Sequence, residues 1–295
     1  MKNLKWKKVG SAVLATALAG SMVLPATAYA QGEIVQLEGG TSTQTNTAPE
    51  QVFLNKYSGT VRTQNFNDNW KFYLGDASGA QTPAFDDSSW DQVNLPHDYS
   101  IDQKYNRSMD GESGYLPGGT GWYRKSFTVD KSLEGKRISI DFGGVYMNAT
   151  IYVNGKNPYG YTPFSFDITD NVKFGKENVI AVKVDHQTPS SRFYSGSGIY
   201  RDVDFVVTDT VHVDKNGTKI ETPDLKEHVD GNNVAVKVKT TVVNESERDA
   251  SVKVKHTIYP KNGTAEQAVA TFESQEAVAV EKGKSKDVSA DFTAS

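Results

Sequence analysis

Seven carboxylates fall within one short stretch of this chain: Asp86, Asp87, Asp91, Asp98, Asp102, Asp110 and Glu112. Two of them held about 5 Å apart in a desolvated cleft would make a nucleophile and acid/base pair for hydrolysis. Their spacing alone brings no two together, and acids in polar loops are expected to stay solvated. The spacing does not follow a calcium loop either, so no metal and no cofactor is assigned. His97 and Asp98 stand apart because they follow Pro96 in a loop, where a structural role and a functional role are both open. The 295 residues contain no Cys, which removes disulfides, thiolate zinc sites and thiol nucleophiles together. A formal charge of −4 gives no electrostatic ground for nucleic acid as a partner.

The elements that must position these residues are strands. Ile180, Val182 and Val184 alternate with Ala181, Lys183 and Asp185, which places one apolar row on one face of a sheet. Ile138, Ile140 and Phe142 repeat the pattern. Ile151 and Val153 do so again and run into Asn154-Gly155, a pair that accepts the positive φ of a type I′ hairpin turn. Val234, Val236 and Val238, then Val252, Val254 and Ile258, continue the alternation, with Asn216-Gly217, Asp230-Gly231 and Asn262-Gly263 as turn signals. No helical period of ten or more residues stands out beyond the N-terminal segment. The expected fold is all-β.

The chain opens with Lys2, Lys5, Lys7 and Lys8, an apolar and small-residue run from Val9 to Leu24, and Ala28-Tyr29-Ala30. This is the pattern of an export signal over residues 1–30, too short to span a bilayer. Its removal would take the formal charge from −4 to −8. Residues 31–51 read as a flexible polar leader, rich in Thr. Composition then changes near residue 210: Trp70, Trp90, Trp122 and nearly all the Tyr lie before it, whereas Val, Lys and Glu dominate after it. Two domains are expected, a jelly-roll sandwich over 52–208 and an immunoglobulin-like sandwich over 209–295. The last strand signal, Val288 to Phe292, runs almost to Ser295, so the second sandwich is expected to be truncated.

Several segments of the first domain form an ordered series. Asp87-x-x-Trp90-x-x-Val93-x-Leu95-Pro96-His97-Asp98 is followed by Gly121-Trp122-Tyr123-Arg124-Lys125-x-Phe127. Next come Phe142-Gly143-Gly144-Val145, Val153-Asn154-Gly155 and Tyr161-x-x-Phe164-x-Phe166-Asp167-Ile168. Asn178 to Asp185 and Ser191-Arg192-Phe193-Tyr194-Ser195-Gly196-Ser197-Gly198-Ile199-Tyr200-Arg201-Asp202-Val203 complete the set. In this order they resemble the N-terminal sugar-binding domain of glycoside hydrolase family 2, which contains β-galactosidases, β-glucuronidases and β-mannosidases. Residues 209–295 resemble that family's second domain more loosely. The same residues also have readings that need no family. Trp90 and Trp122 are expected to fill the sandwich, Arg124 and Arg201 to hold carboxylates or carbonyls, and the paired glycines to admit backbone turns.

The resemblance implies retaining hydrolysis of a β-linked sugar by two glutamates. In the family these lie on a (β/α)₈ barrel, which needs about 250 residues and many helices. The barrel is missing from this chain, so the polypeptide alone is expected to be inactive, as the N-terminal part of an exported, β-galactosidase-like enzyme. The implied substrate-binding residues are His97, Asp98, Arg192 and Tyr194, and the implied partners are a β-galactoside or related glycan and the missing barrel. Arg192 stands where well-known family members carry an aspartate that accepts from sugar hydroxyls, and a guanidinium cannot accept. The expected location is secreted or at the cell surface, by a bacterial export route, with no membrane contact after signal cleavage. A different class of function fits the same domain: a stand-alone secreted carbohydrate-binding protein, using Tyr99, Tyr105, Tyr115, Tyr159 and Tyr161 as exposed aromatic faces.

Overall fold

The computed structural model describes residues 21–23, 52–54, 62–155, 159–160, 163–189, 194–228, 233–260, 267–268 and 270–294. The polar leader, Asp230-Gly231, Asn262-Gly263 and most of the expected export signal lie outside them. The chain divides into two compact units, one containing Arg62–Thr208 and the other Asp209–Ser295. Both are all-β. Among the described residues no helix is long and apolar enough to cross a membrane.

The strands are β1 (Ser21–Val23), β2 (Val52–Leu54), β3 (Thr63–Asn65), β4 (Trp70–Leu74), β5 (Asp91–Val93), β6 (Gly119–Val129), β7 (Arg137–Phe142), β8 (Ala149–Val153) and β9 (Tyr159–Gly160). They continue with β10 (Phe164–Asp167), β11 (Glu177–His186), β12 (Val203–Thr208), β13 (Val211–Glu221), β14 (Val234–Asn244), β15 (Ala250–Ile258), β16 (Ala270–Glu273), β17 (Val278–Val280) and β18 (Ser285–Ala294).

In the first unit one sheet runs β5-β4-β6-β11-β8-β9, with β2 parallel to β6, and a second runs β10-β7-β12-β3. Their inner faces meet in a single core. Tyr123, Phe127 and Val129 from β6 and Ile180, Val182 and Val184 from β11 pack with Ile138, Ile140 and Phe142 from β7 and Val203, Phe205 and Val207 from β12. The period-two rows point inward, as the pleat requires. Phe66 sits edge-on to Trp70 and to Phe127, at 5.8 and 5.3 Å between centroids.

The same alternation sends Trp122 and Arg124 to the outer face of β6. Trp90 and Trp122 are buried, but outside the main core, in a separate cluster with Ala80 and Ala181. The expectation that they fill the sandwich is corrected by strand parity: residue 122 faces away from 123 and 127. Arg124, 1% exposed, fastens the segment that covers them. Its Nε donates to Asp87 at 2.7 Å, and its two terminal nitrogens donate to the carbonyls of Ala80, Thr82 and Phe85. Arg124 therefore holds the carboxylate and carbonyls expected of it. Arg201 instead lies over the Tyr200 ring, 5.4 Å from its centroid.

Asn154 and Gly155 have φ of 51° and 88° and join β8 to β9, the expected hairpin. Asn154 also donates to Asn171 O at 2.7 Å and accepts from Val179 N at 3.1 Å, so this turn residue ties the segment after β10 to the start of β11.

In the second unit β13-β14-β18 form one antiparallel sheet, and β15 pairs with both β16 and β17. β1, inside the expected export signal, runs parallel to β15. The centre is a cluster of valines, Val242, Val252, Val254, Val280 and Val288. Asn216-Gly217 is not a hairpin turn: it lies inside β13, where the pairing with β14 shifts register between Val213 and Thr218. The positive φ of Asn216, 56°, serves a strand irregularity.

Candidate functional site

Two loop segments a hundred residues apart come together. His97 N donates to Ile199 O at 2.8 Å and Tyr99 N donates to Ser197 O at 3.0 Å. This backbone pairing lays Pro96-His97-Asp98 against Ser195-Gly196-Ser197-Gly198-Ile199. It requires glycine at two points. Gly198 has φ of 113°, and a Cβ there would run into the Tyr123 hydroxyl and lie 2.9 Å from His97 O. Gly196 has φ of 74°, and its Cβ would approach Asp98 Oδ2 to 3.0 Å.

Asp98 is the hub. Oδ1 accepts from Ser100 N at 3.0 Å and from Ser197 N at 2.9 Å, and Oδ2 accepts from the Tyr194 hydroxyl at 2.5 Å. Burial, and then the Asp98 carboxylate, push the Tyr194 phenol up from its ordinary range, so it serves as a neutral donor. Each oxygen of a carboxylate has two lone-pair sites, so Oδ2 keeps capacity for a further hydroxyl donor.

His97 joins a second chain. Its Nε2 lies 3.3 Å from Asp102 Oδ2, and its Nδ1 lies 2.7 Å from the Tyr123 hydroxyl. Burial lowers the His97 pKa, and Asp102 opposes the shift. The neutral ring therefore donates from Nε2 to Asp102 and accepts at Nδ1 from Tyr123. Tyr123 is fully buried and burial raises its phenol, which excludes it as a nucleophile.

A third chain runs through Ser100, Ser197 and His186. Ser100 Oγ donates to Pro117 O at 2.7 Å, so it accepts from Ser197 Oγ at 2.5 Å, and Ser197 Oγ in turn accepts from His186 Nδ1. One proton per hydroxyl fixes this direction. His186 is thus the Nδ1–H tautomer, held neutral by burial. Ser197 is fully buried and His186 only 5% exposed, so this serine–histidine pair positions the loop and meets no substrate.

His97, Asp98 and Tyr194, expected to contact substrate, lie in this one hydrogen-bonded cluster, whereas Arg192 lies outside the described residues. Tyr123, Ser197, Ser100, His186 and Asp102 complete the cluster. Tyr123 and Ser197 sit inside the quoted motifs, but His186 carried no signal beyond ending a strand. One expectation is corrected: Tyr99 is 1% exposed, because its ring stacks on Phe72 at 5.4 Å and its hydroxyl donates to Gly119 O. Tyr161 and the Tyr159 side chain lie outside the described residues. Of the loop acids, Asp98 and Asp102 enter this cluster, Asp98 through Tyr194 and Ser197 and Asp102 through His97, whereas Asp87 is turned to Arg124.

What the cluster offers is hydroxyl recognition: an acceptor carboxylate with spare capacity, an exposed second carboxylate at Asp102 and a neutral phenol, all on a preordered base. The sugar binding domain of the Glycosyl hydrolases family 2 matches residues 63–209. The β-galactosidase BoGH2A of Bacteroides ovatus is 43% identical over 196 residues, covering 64% of this chain and 23% of that protein. A β-glucuronidase of Formosa agariphila is 30% identical over 226 residues, covering 68% of this chain and 23% of that one. A crystal structure of a glycosyl hydrolase family 2 member from Bacteroides cellulosilyticus superposes with a TM-score of 0.71 and 34% identity, over 79% of this chain and 31% of the other. The chain thus spans under a quarter of the length of these two curated relatives. With its motif series and its sandwich in agreement, the chain belongs to glycoside hydrolase family 2, whose sugar-binding domain it carries at residues 63–209.

Proposed function

We propose that this chain is the N-terminal portion of an exported, retaining family 2 glycosidase of β-galactosidase type, with the catalytic glutamates on a barrel outside it. Its first domain, 52–208, contributes sugar contacts from Asp98, Tyr194 and His97, with Arg192 close by in sequence; the second, 209–295, is an incomplete immunoglobulin-like sandwich. The observation that carries this reading is the Asp98–Tyr194–Ser197 cluster, built by the motif series that marks the family. A galactoside is favoured by the site's own charge, since Asp98 and Asp102 favour neutral hydroxyls over a uronate carboxylate.

The test has two parts. The 295-residue chain mixed with 4-nitrophenyl β-galactoside should release no nitrophenol above the blank, and turnover would contradict the proposal. Ligand-observed NMR should detect binding of methyl β-galactoside. The exposed rings of Tyr105 and Tyr115 favour a second reading, a stand-alone carbohydrate-binding protein. Coding DNA read past Ser295 separates the two, because barrel-coding sequence supports the glycosidase and its absence supports the binder.

A further inference from the structure

Among the described large apolar side chains Tyr105 is the most exposed, at 78%, and Ile101 and Tyr115 on the same loop are also exposed. The loop, Ser100 to Pro117, is nonetheless ordered from within. Ser100 Oγ and Gln103 Nε2 both donate to Pro117 O across its neck, at 2.7 and 3.2 Å. Farther out, Asn106 N donates to Tyr115 O at 2.9 Å and Ser113 Oγ to Asp110 O at 2.7 Å. Tyr105 is therefore an exposed ring on a base whose ordering entropy is already spent on folding.

The loop also grips the sugar-contact residues. Tyr194 N donates to Glu112 O at 2.8 Å, and a Cβ on Gly114 would lie 3.7 Å from the Tyr194 ring. Asp102, on the same loop, has a side chain 68% exposed. An exposed ring thus shares a loop with one carboxylate, Asp102, and that loop holds Tyr194 and through it a second, Asp98, both able to accept from hydroxyls. That pairing suits a pyranose, which presents C–H groups on one face and hydroxyls at its edge.

We propose that Tyr105 is the stacking platform of a subsite for a neutral hexose, with Asp98 and Asp102 at its polar edge. The proposal rests on the glycan reading above and gives Tyr105 a defined place beside the contacts it named. The loop carries Lys104 and Arg107 against Asp102, Asp110 and Glu112, and Asp98 adds to the acidic side, so a galactoside is preferred to a glucuronide.

The experiment titrates the full chain with methyl β-galactoside and with methyl β-glucuronide, following ligand saturation transfer. Variants are Tyr105→Ala, Tyr105→Trp, and Tyr73→Ala as an exposed tyrosine on another segment. Tyr105→Ala should weaken galactoside binding about tenfold, Tyr105→Trp should keep or strengthen it, and Tyr73→Ala should leave it unchanged. In the wild-type chain, aromatic saturation should reach the ring C–H protons of the sugar, a readout independent of any variant's stability. Undiminished binding by Tyr105→Ala overturns the platform and leaves the family reading in place. A wild-type chain that binds no galactoside overturns both the platform and the proposed sugar contact, and tighter binding of the glucuronide overturns the preference for a neutral sugar.

Discussion

The residue that holds the most structure for its size is Arg124. Its guanidinium is buried against Asp87 and three carbonyls, so a replacement leaves that carboxylate and those carbonyls partly unpaired. Arg124→Met is expected to destabilise the first unit by about 3–5 kcal/mol in urea denaturation, and Arg124→Lys to rescue little of it. Histidines set the pH response. Burial holds His97 and His186 below the ordinary imidazole range in the folded state. As pH falls below about 6.5 the unfolded chain takes up protons first, so stability falls with pH in that window and is level above it. The urea midpoint followed by tryptophan fluorescence should therefore drop between pH 7.5 and 5.5. His186→Asn, which keeps a donor for Ser197, should reduce the drop. At this scale Arg124 was legible, because a buried fork of donors has few uses. Tyr99 was not, because a tyrosine in a loop shows no period from which burial can be read.

Elements explain why the site is where it is. The strand rows at 138–142, 151–153 and 180–184 were readable from alternation, and the pleat turned them inward. Parity also decided against Trp122 as core, but alternation cannot say what covers an outer face, and the segment pinned by Arg124 does so. The pairing of residues 97–99 with 197–199 is longer in range still, and no local pattern announces it. Gly198 is where that pairing is most constrained. Gly198→Ala is expected to cost at least about 3 kcal/mol and to disturb the near-UV signal of Tyr123, because both its φ and its space exclude a side chain. The Asn-Gly pairs divide in the same way: Asn154-Gly155 makes a hairpin, whereas Asn216-Gly217 bends a continuous strand. The dipeptide encodes a positive φ, and the flanking pairing decides its use.

For the whole molecule, the two units differ in how much they bury. The first joins large aromatics and aliphatics from two sheets, and the second centres on a cluster of five valines. Apolar burial dominates stability, so limited proteolysis of the full chain should cut within 209–295 before 62–208. Equal resistance of the two units would contradict that ordering. In the proposed function Asp98 and Tyr194 make this family 2 domain a contact for a β-galactoside. Isothermal titration of the full chain with methyl β-galactoside, beside Tyr194→Phe, tests it most directly. Saturable binding by the wild-type chain is expected, with loss of the Tyr194 hydroxyl changing the affinity severalfold while the near-UV spectrum is kept. Absent binding by a folded wild-type chain, or identical affinity in Tyr194→Phe, would contradict it.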